Sequence, residues 1–130
     1  MKLKGVIEVT HAHLGLDHVQ LAAPRGGEEA ARGFYGDMLG MVEIPKPDAL
    51  LKRGGVWFQC GAHQLHIGIQ DDFTAAAKAH PAFAIQGIAA LRSRLESHGI
   101  DIIEDVPIDG VIRFHIRDPF GNRVEFVEKL

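Results

Sequence analysis

Eight histidines are the first feature of this sequence that could carry chemistry. Imidazole binds transition metals and exchanges protons near neutral pH, so the placement of these residues decides what they can do. His18, His66 and His80 fall in short segments that alternate as β-strands do, and the carboxylate Glu125 falls in a fourth. Three imidazoles and one carboxylate suit Fe(II), Mn(II), Co(II), Ni(II) or Zn(II), whereas calcium is disfavoured.

The alternation places these four residues on one kind of face. Successive side chains of a strand point to opposite sides, so the apolar set packs on a helix and the other set faces the concave side. In the first strand Val19 and Leu21 take the helix side and leave His18 opposite. A single strand histidine is usually a structural or surface residue, so the hypothesis depends on the coincidence of all four. Any two of the histidines with the carboxylate would form a facial ligand set with open positions.

The elements that must position these residues occur in the same order twice. In the first half, the patterns predict a strand at 16–21, a helix at 28–39 that ends before Gly40, and strands at 41–44, 55–60 and 64–69. In the second half, they predict a strand at 80–85, a helix at 88–98 that ends before Gly99, and strands at 100–105, 111–117 and 123–127. The period is about 60 residues, and neither half could close a useful core alone. The sequence therefore predicts one α+β domain over residues 1–130, with modules at about 14–70 and 78–128.

Composition excludes several classes of protein. Fourteen Lys and Arg residues against 17 Asp and Glu residues give a net charge of −3, without the basic excess that nucleic-acid binding requires. No apolar run approaches the roughly 18 residues of a membrane-spanning helix. Cys60 is the only cysteine, which excludes an intramolecular disulfide and fits a reducing, cytoplasmic location. We expect no nucleic-acid or membrane partner. In the segment 1–14, a β-like stretch at 6–9 has no assigned place.

Five strings resemble the vicinal oxygen chelate superfamily, which comprises glyoxalases, bleomycin resistance proteins and extradiol dioxygenases. The strings are LDHVQLAAP (16–24), FYGDMLGMVEI (34–44), HQLHIGI (63–69), HPAFAI (80–85) and DPFGNRVEFVE (118–128). Together they extend the resemblance from about residue 14 to residue 128. The resemblance implies two tandem βαβββ modules around a half-open barrel, the glyoxalase-like fold. It also implies a metal at the centre, held by the first and last strands of each module.

Carried over by position, the resemblance implies that His18 and His80 are first-strand ligands and Glu125 is a last-strand ligand. His66 lies where glyoxalase I proteins have a second glutamate that takes part in proton transfer, so the sequence departs from those enzymes there. His66 is therefore predicted to complete the metal shell or to act as a base. The metal set is His18, His66, His80 and Glu125, and the catalytic candidates are His66 and Glu125.

The function predicted is that of a metal-dependent lyase, isomerase or dioxygenase. It would act on a small substrate with two adjacent oxygens, so that the divalent ion stabilises an enolate or similar oxyanion. The alternative is a metal-free protein that sequesters a small molecule, as bleomycin resistance proteins do. A third reading is a scaffold whose histidines are incidental.

Strand parity also nominates substrate-binding residues, and the resemblance suggests a second copy as partner. The pocket candidates are Trp57, Gln59, Arg113 and His115. Arg113 could bind a carboxylate or phosphate through two hydrogen bonds, or it could be a solvent-facing charge. The expected assembly is a homodimer, and the modules could pair within one chain or swap between chains through residues 70–79.

Overall fold

The computed structural model describes residue 5 and residues 8–130 of the chain, and it has the predicted α+β architecture with two small sheets. The first half contains the strands β1 (His18–Ala23), β2 (Val42–Ile44), β3 (Val56–Cys60) and β4 (His63–Ile69). The second half contains β5 (Ala82–Ala84), β6 (Val111–Arg117) and β7 (Arg123–Lys129). The helix α1 (Glu28–Ala31) continues as a π-helical segment, Arg32–Met38, and α2 spans Ile88–Ser97.

The first sheet has the strand order β1-β4-β3-β2, with β1 parallel to β4 and the other pairs antiparallel. Its four strands confirm the prediction, with ends shifted by one or two residues. The helix predicted at 28–39 is present as the α-helix and its π-helical continuation. It ends before Gly40, whose φ of 79° lies in the left-handed region that glycine tolerates best. A 3₁₀ helix at Asp48–Arg53 was not predicted, because six residues are too few to show a helical period.

The second sheet has three strands in the order β5-β7-β6, and the strand predicted at 100–105 is wrong. In that segment only Ile103 pairs with a strand, through an isolated bridge to His115. The acidic residues Glu104 and Asp105 are poor strand formers. They pair instead with arginines of α2, β6 and β7. A loop therefore covers the edge of the sheet where the first half has β2.

The apolar faces predicted from alternation are buried in β4 and β7, whereas Val19 and Leu21 of β1 are half-buried beside the core. In β7 Val124 and Phe126 lie inside, and Glu125 between them points to the other face of the sheet. The same pattern holds in β4, where Leu65 and Ile67 are buried in the core. The buried apolar residues of both halves form one cluster. Burial of this common core fixes the register of each strand, and the register fixes which polar side chains share a face.

Polar contacts also join the two halves. Tyr35, fully buried in the π-helical segment, donates a hydrogen bond to Asp118 Oδ2 at 2.7 Å. Asn122, in the same turn between β6 and β7, donates to the carbonyl of Ala22 at 2.8 Å. Arg94 of α2 donates to the carbonyl of Met38 at 2.8 Å. The turn and α2 of the second half are thus attached to the helix and first strand of the other half.

The β-like stretch predicted at 6–9 falls largely outside the described residues. Val6 and Ile7 are not described, and Glu8 and Val9 belong to no strand. In the part of the chain that is described, neither α-helix nor any other helical segment has the length and apolar character needed to cross a bilayer.

Candidate metal centre

His80, His115 and Glu125 meet at one face of the second sheet. His115 lies directly opposite Glu125 in the β6–β7 pair, and the β5–β7 pair places Ala82 beside Glu125. His80 precedes β5 by two residues and so reaches the same carboxylate. Its Nε2 lies 2.8 Å from Glu125 Oε1, and Nε2 of His115 lies 3.2 Å from that oxygen. One ligand atom from each residue lies within 4.8 Å of the others.

The hydrogen bonding of His80 directs its Nε2 at the carboxylate of Glu125. Nδ1 lies 2.7 Å from the carbonyl oxygen of Lys78, which only accepts, so Nδ1 carries a proton. Nε2 then faces the carboxylate oxygen of Glu125, where one cation could bind both atoms. Two ligand atoms at adjacent positions around one ion lie about 3 Å apart at normal coordination distances. The observed 2.8 Å fits that arrangement.

His115 is an almost fully buried ring that lacks hydrogen-bond partners. Its side chain is 1% exposed, and neither ring nitrogen makes a hydrogen bond. Burial lowers the pKa of His115, although the nearby Glu125 carboxylate partly opposes this effect. The ring is therefore neutral at pH 7 and can offer a lone pair. A buried, unsatisfied nitrogen beside a carboxylate and a second imidazole is what a bound divalent ion would satisfy.

Glu125 stays ionised because its neighbours donate to it. Burial raises the pKa of Glu125, but hydrogen bonds from His80 and Arg113 outweigh this effect and bring the pKa below its ordinary value. Arg113 lies 3.3 Å from Oε2, the oxygen that the two histidines do not approach. The same guanidinium donates to the carbonyl of Val106 at 2.6 Å and lies 3.5 Å from Asp105. Arg113, predicted to bind substrate, is thus held by groups of the protein.

The first half holds a stack of three rings in place of a charged cluster. Trp57 lies opposite His66 in the β3–β4 pair, and their rings stack at 3.6 Å with an interplanar angle of 3°. His18 stacks on the other face of His66 at 4.1 Å and 19°. His66 Nε2 lies 2.9 Å from Gln64 Oε1, and His18 Nδ1 lies 2.8 Å from Asp17. Burial and the neighbouring His18 lower the pKa of His66.

The structure thus brings the four predicted ligands together in two pairs. His80 and Glu125 are in direct contact, and His18 stacks on His66. The lone pairs of stacked imidazoles lie in nearly parallel planes, so His18 and His66 can bind one ion together only if a ring turns. His18 and His80 line the same cleft, which has a volume of about 940 Å³ and lies between β1 and β5. The assembly of all four around one ion therefore stays a prediction.

The two halves use equivalent positions differently. His18 and His80 precede or begin the first strand, His66 and Glu125 lie in the last strand, and Trp57 and His115 lie opposite those residues. The repeat thus predicts which positions come together within each half. Gln59, also predicted to bind substrate, lies apart from both groups. Its side chain donates to the carbonyls of Gly61 and His63 in the β3–β4 turn.

Sequence reasoning missed the part that Asp105 plays beside this centre. It lies 3.5 Å from Arg113 and from Arg123, and 3.9 Å from His115 Nδ1. The contacts of Asp105 were not foreseen because the sequence pattern of the segment 100–105 predicts a strand. An acidic residue placed before two strands that carry arginines on their polar faces would have been a sign of such a contact.

The fold and the centre together define the class of protein. The sequence model of one protein family, the Glyoxalase/Bleomycin resistance protein/Dioxygenase superfamily, matches residues 15–126 of this chain. The chain belongs to this superfamily, the vicinal oxygen chelate group that the sequence resembles. The match extends over both halves and includes His18, His66, His80 and Glu125.

Solved structures share the fold of this chain. A glyoxalase family protein from Bacillus anthracis is 50% identical, with a TM-score of 0.90 over 94% of this chain and 100% of that one. Lactoylglutathione lyase from Agrobacterium tumefaciens is 23% identical, with a TM-score of 0.71 over 91% and 96% of the two chains. A variant of FosX from Listeria monocytogenes, with Mn(II) and 1S,2S-dihydroxypropylphosphonic acid bound, is 18% identical, with a TM-score of 0.75 over 92% and 95%. The comparison with curated proteins gives no match.

Proposed function

We propose that this protein is a metal-dependent enzyme of the vicinal oxygen chelate type, a lyase, isomerase or dioxygenase that acts on a small substrate with adjacent oxygens. The observation that carries the proposal is the convergence of His80, His115 and Glu125, with 2.8 Å between His80 Nε2 and Glu125 Oε1. The similar FosX structure contains Mn(II), which supports a divalent ion in this fold. Iron, manganese, nickel, cobalt and zinc all suit the nitrogen and oxygen donors.

Each residue has a defined part in this proposal. His80 and Glu125 would hold the ion, and His115 would supply a third donor from the same chain. When bound, the ion would polarise two adjacent substrate oxygens as a Lewis acid. Arg113 holds the outer oxygen of Glu125 and so keeps Oε1 directed at the ion. Two histidines and one carboxylate leave positions open for the substrate.

The predicted set with His18 and His66 is a second way to complete the shell. His18 lines the cleft beside His80, which favours it as a donor from across the cleft. The cleft lies between β1 and β5, which are at the edges of their sheets in the described part of the chain. A second copy could pair with these edges and bring its own His18 to His80. We propose a homodimer on this ground, and a cytoplasmic location on the ground of the single cysteine.

Metal content tests the proposed function directly. The protein should be purified without chelator, stripped, and reloaded with Mn(II), and its metal content should then be measured after desalting. We expect about one ion per chain, and Glu125→Gln and His80→Gln should lose it, because the first removes the negative charge of the carboxylate ligand and the second removes the imidazole nitrogen. Glu96→Gln and His13→Gln are matched controls on exposed side chains and should retain the ion. A wild-type protein that retains no metal at any loading would contradict the proposal.

A second pair of variants decides which histidine is the third donor. If His115 completes the shell, His115→Gln should lose the ion while His18→Gln retains it. If His18 of a second copy completes it, His18→Gln should lose the ion and metal binding should stabilise a dimer. Light scattering of the apo and loaded protein measures that assembly.

The metal-free binding function is the second candidate, and the cleft is the observation that favours it. The lining of this cleft of about 940 Å³ is mainly apolar, with Leu21, Phe73 and Phe83 among its residues. Such a cleft is large enough for a small apolar molecule. If sequestration is the function, a bound ligand should remain after complete chelation, and Glu125→Gln should bind it as well as the wild type does.

A further inference from the structure

Asp105 is a carboxylate outside the proposed ligand set that lies close to three side chains at the metal centre. It lies in the loop that replaces the predicted strand at 100–105, and its side chain is 35% exposed. Its Oδ2 lies 3.5 Å from Arg113, 3.5 Å from Arg123 and 3.9 Å from Nδ1 of His115. The loop is fixed at this point by the Arg113 hydrogen bond to Val106.

The first reason to connect Asp105 with the metal centre is the balance of charges around Glu125. Arg113 lies 3.3 Å from Glu125, so its positive charge would repel a cation bound to the other oxygen of that carboxylate. The negative charge of Asp105, 3.5 Å from each guanidinium group, offsets the positive charges of Arg113 and Arg123. An aspartate has an ordinary pKa of about 3.9, so Asp105 carries this charge at neutral pH.

The orientation of His115 is the second reason. Nδ1 of this buried ring has no hydrogen-bond partner, and Asp105 Oδ2 at 3.9 Å is the carboxylate oxygen on that side. A metal-bound histidine usually donates its other N–H to a carboxylate, a carbonyl or a water, which fixes the ring and its tautomer. A short movement of the loop, or one bridging water, would give His115 such a partner and leave Nε2 for the ion.

We propose that Asp105 is a positioning residue of the metal centre: it balances Arg113 and Arg123 and orients His115, and thereby sets the affinity for the ion. This inference rests on the proposed function, because it assumes an ion held by His80, His115 and Glu125. It assigns to Asp105, a loop residue that does not itself bind the ion, a part in setting the affinity of the centre.

The test is the dissociation constant of Mn(II) measured by titration calorimetry on the full chain. We expect Asp105→Asn to weaken binding by about 10- to 100-fold, the usual effect of removing a group that supports a ligand. Asp105→Glu keeps the charge and should bind more tightly than Asp105→Asn. Asp109→Asn, an exposed carboxylate in the same loop, is the matched control and should bind as the wild type does. The melting temperature of each apo variant separates a loss of affinity from a loss of fold.

A double variant tests the charge balance separately. Asp105→Asn combined with Arg123→Met removes one pair of opposite charges and keeps the Arg113 hydrogen bond to Glu125, so this variant should bind Mn(II) more tightly than Asp105→Asn alone. Wild-type affinity in Asp105→Asn, or a double variant no tighter than the single one, would overturn the inference. Failure of the proposed function looks different, because the wild type itself would then bind no ion.

Discussion

The buried hydrogen bond between Tyr35 and Asp118 should contribute measurably to stability, because it joins the two halves that form the common core. Tyr35→Phe removes only the hydroxyl group, and the ring can keep its packing against Phe34 and Phe58. The hydroxyl donates at 2.7 Å to a carboxylate that is 5% exposed. The buried carboxylate of Asp118 would then lose one of the hydrogen-bond donors that compensate it for the loss of water.

The size of the effect follows from the partners that remain. Hydrogen bonds to charged groups contribute about 1.5–3 kcal/mol, and Asn122 still donates to the same oxygen of Asp118 at 2.9 Å. We therefore expect Tyr35→Phe to lower the free energy of unfolding by about 1.5 kcal/mol. For a domain of this size the melting temperature should fall by roughly 4–8 °C.

Urea unfolding at pH 7 measures this difference, with an unchanged m-value as the sign that the unfolded state is unaffected. Thr74→Val removes an exposed hydroxyl and is the control, with an expected change within about 0.5 kcal/mol. Burial, followed by the Asp118 charge and hydrogen bond, raises the pKa of Tyr35 well above its ordinary value. The stabilisation is thus complete below about pH 10, the unfolded pKa, and is lost as the pH rises through the folded value. A difference below 0.5 kcal/mol at pH 7 would refute the reasoning.

Three further predictions concern the backbone, a helix end and the ion. Gly55→Ala should destabilise the fold by about 2 kcal/mol or more in urea unfolding, because φ is 87° and a Cβ would lie 2.2 Å from the Ile67 carbonyl oxygen. Glu128→Gln should cost about 1 kcal/mol in the same assay, because Glu128 accepts from the free N–H groups of Gly87 and Ile88 at the start of α2. Mn(II) at about 100 times its dissociation constant should stabilise the protein by about 2.7 kcal/mol, an effect that EDTA should reverse in a thermal scan.

The fold could be predicted largely because two local signals agree. Alternation identified the residues of β7 that enter the core, and Gly40 and Gly99 marked where the helices end. The same signals placed His115 and Glu125 on one face, but their contact depends on the register of the β6–β7 pair, which the turn at 118–122 sets. Alternation alone does not give that register.

The grouping of the four predicted ligands could not be derived in the same way. Repeat-related positions establish which residues meet within a half, so the contact between His80 and Glu125 follows from the pattern. Whether His18 approaches His80 depends on how two modules pack, and no periodicity reports that arrangement. The loop at 101–109 was misread for a different reason, since the salt bridges of Glu104 and Asp105 with distant arginines override a weak strand pattern.

The repeat also indicates how many ions one chain can hold. Equivalent positions carry His80, Glu125 and His115 in the second half, but His18, His66 and Trp57 in the first. An indole ring offers no lone pair to a metal, and its stacking on His66 holds that imidazole parallel to His18. In the described part of the first half, the position equivalent to Glu125 therefore carries no carboxylate, and the stacked rings do not converge on one point as a separate centre requires. One ion per chain, centred on Glu125, is the stoichiometry that this asymmetry allows, and two tightly held ions per chain would show that the stack opens to bind metal.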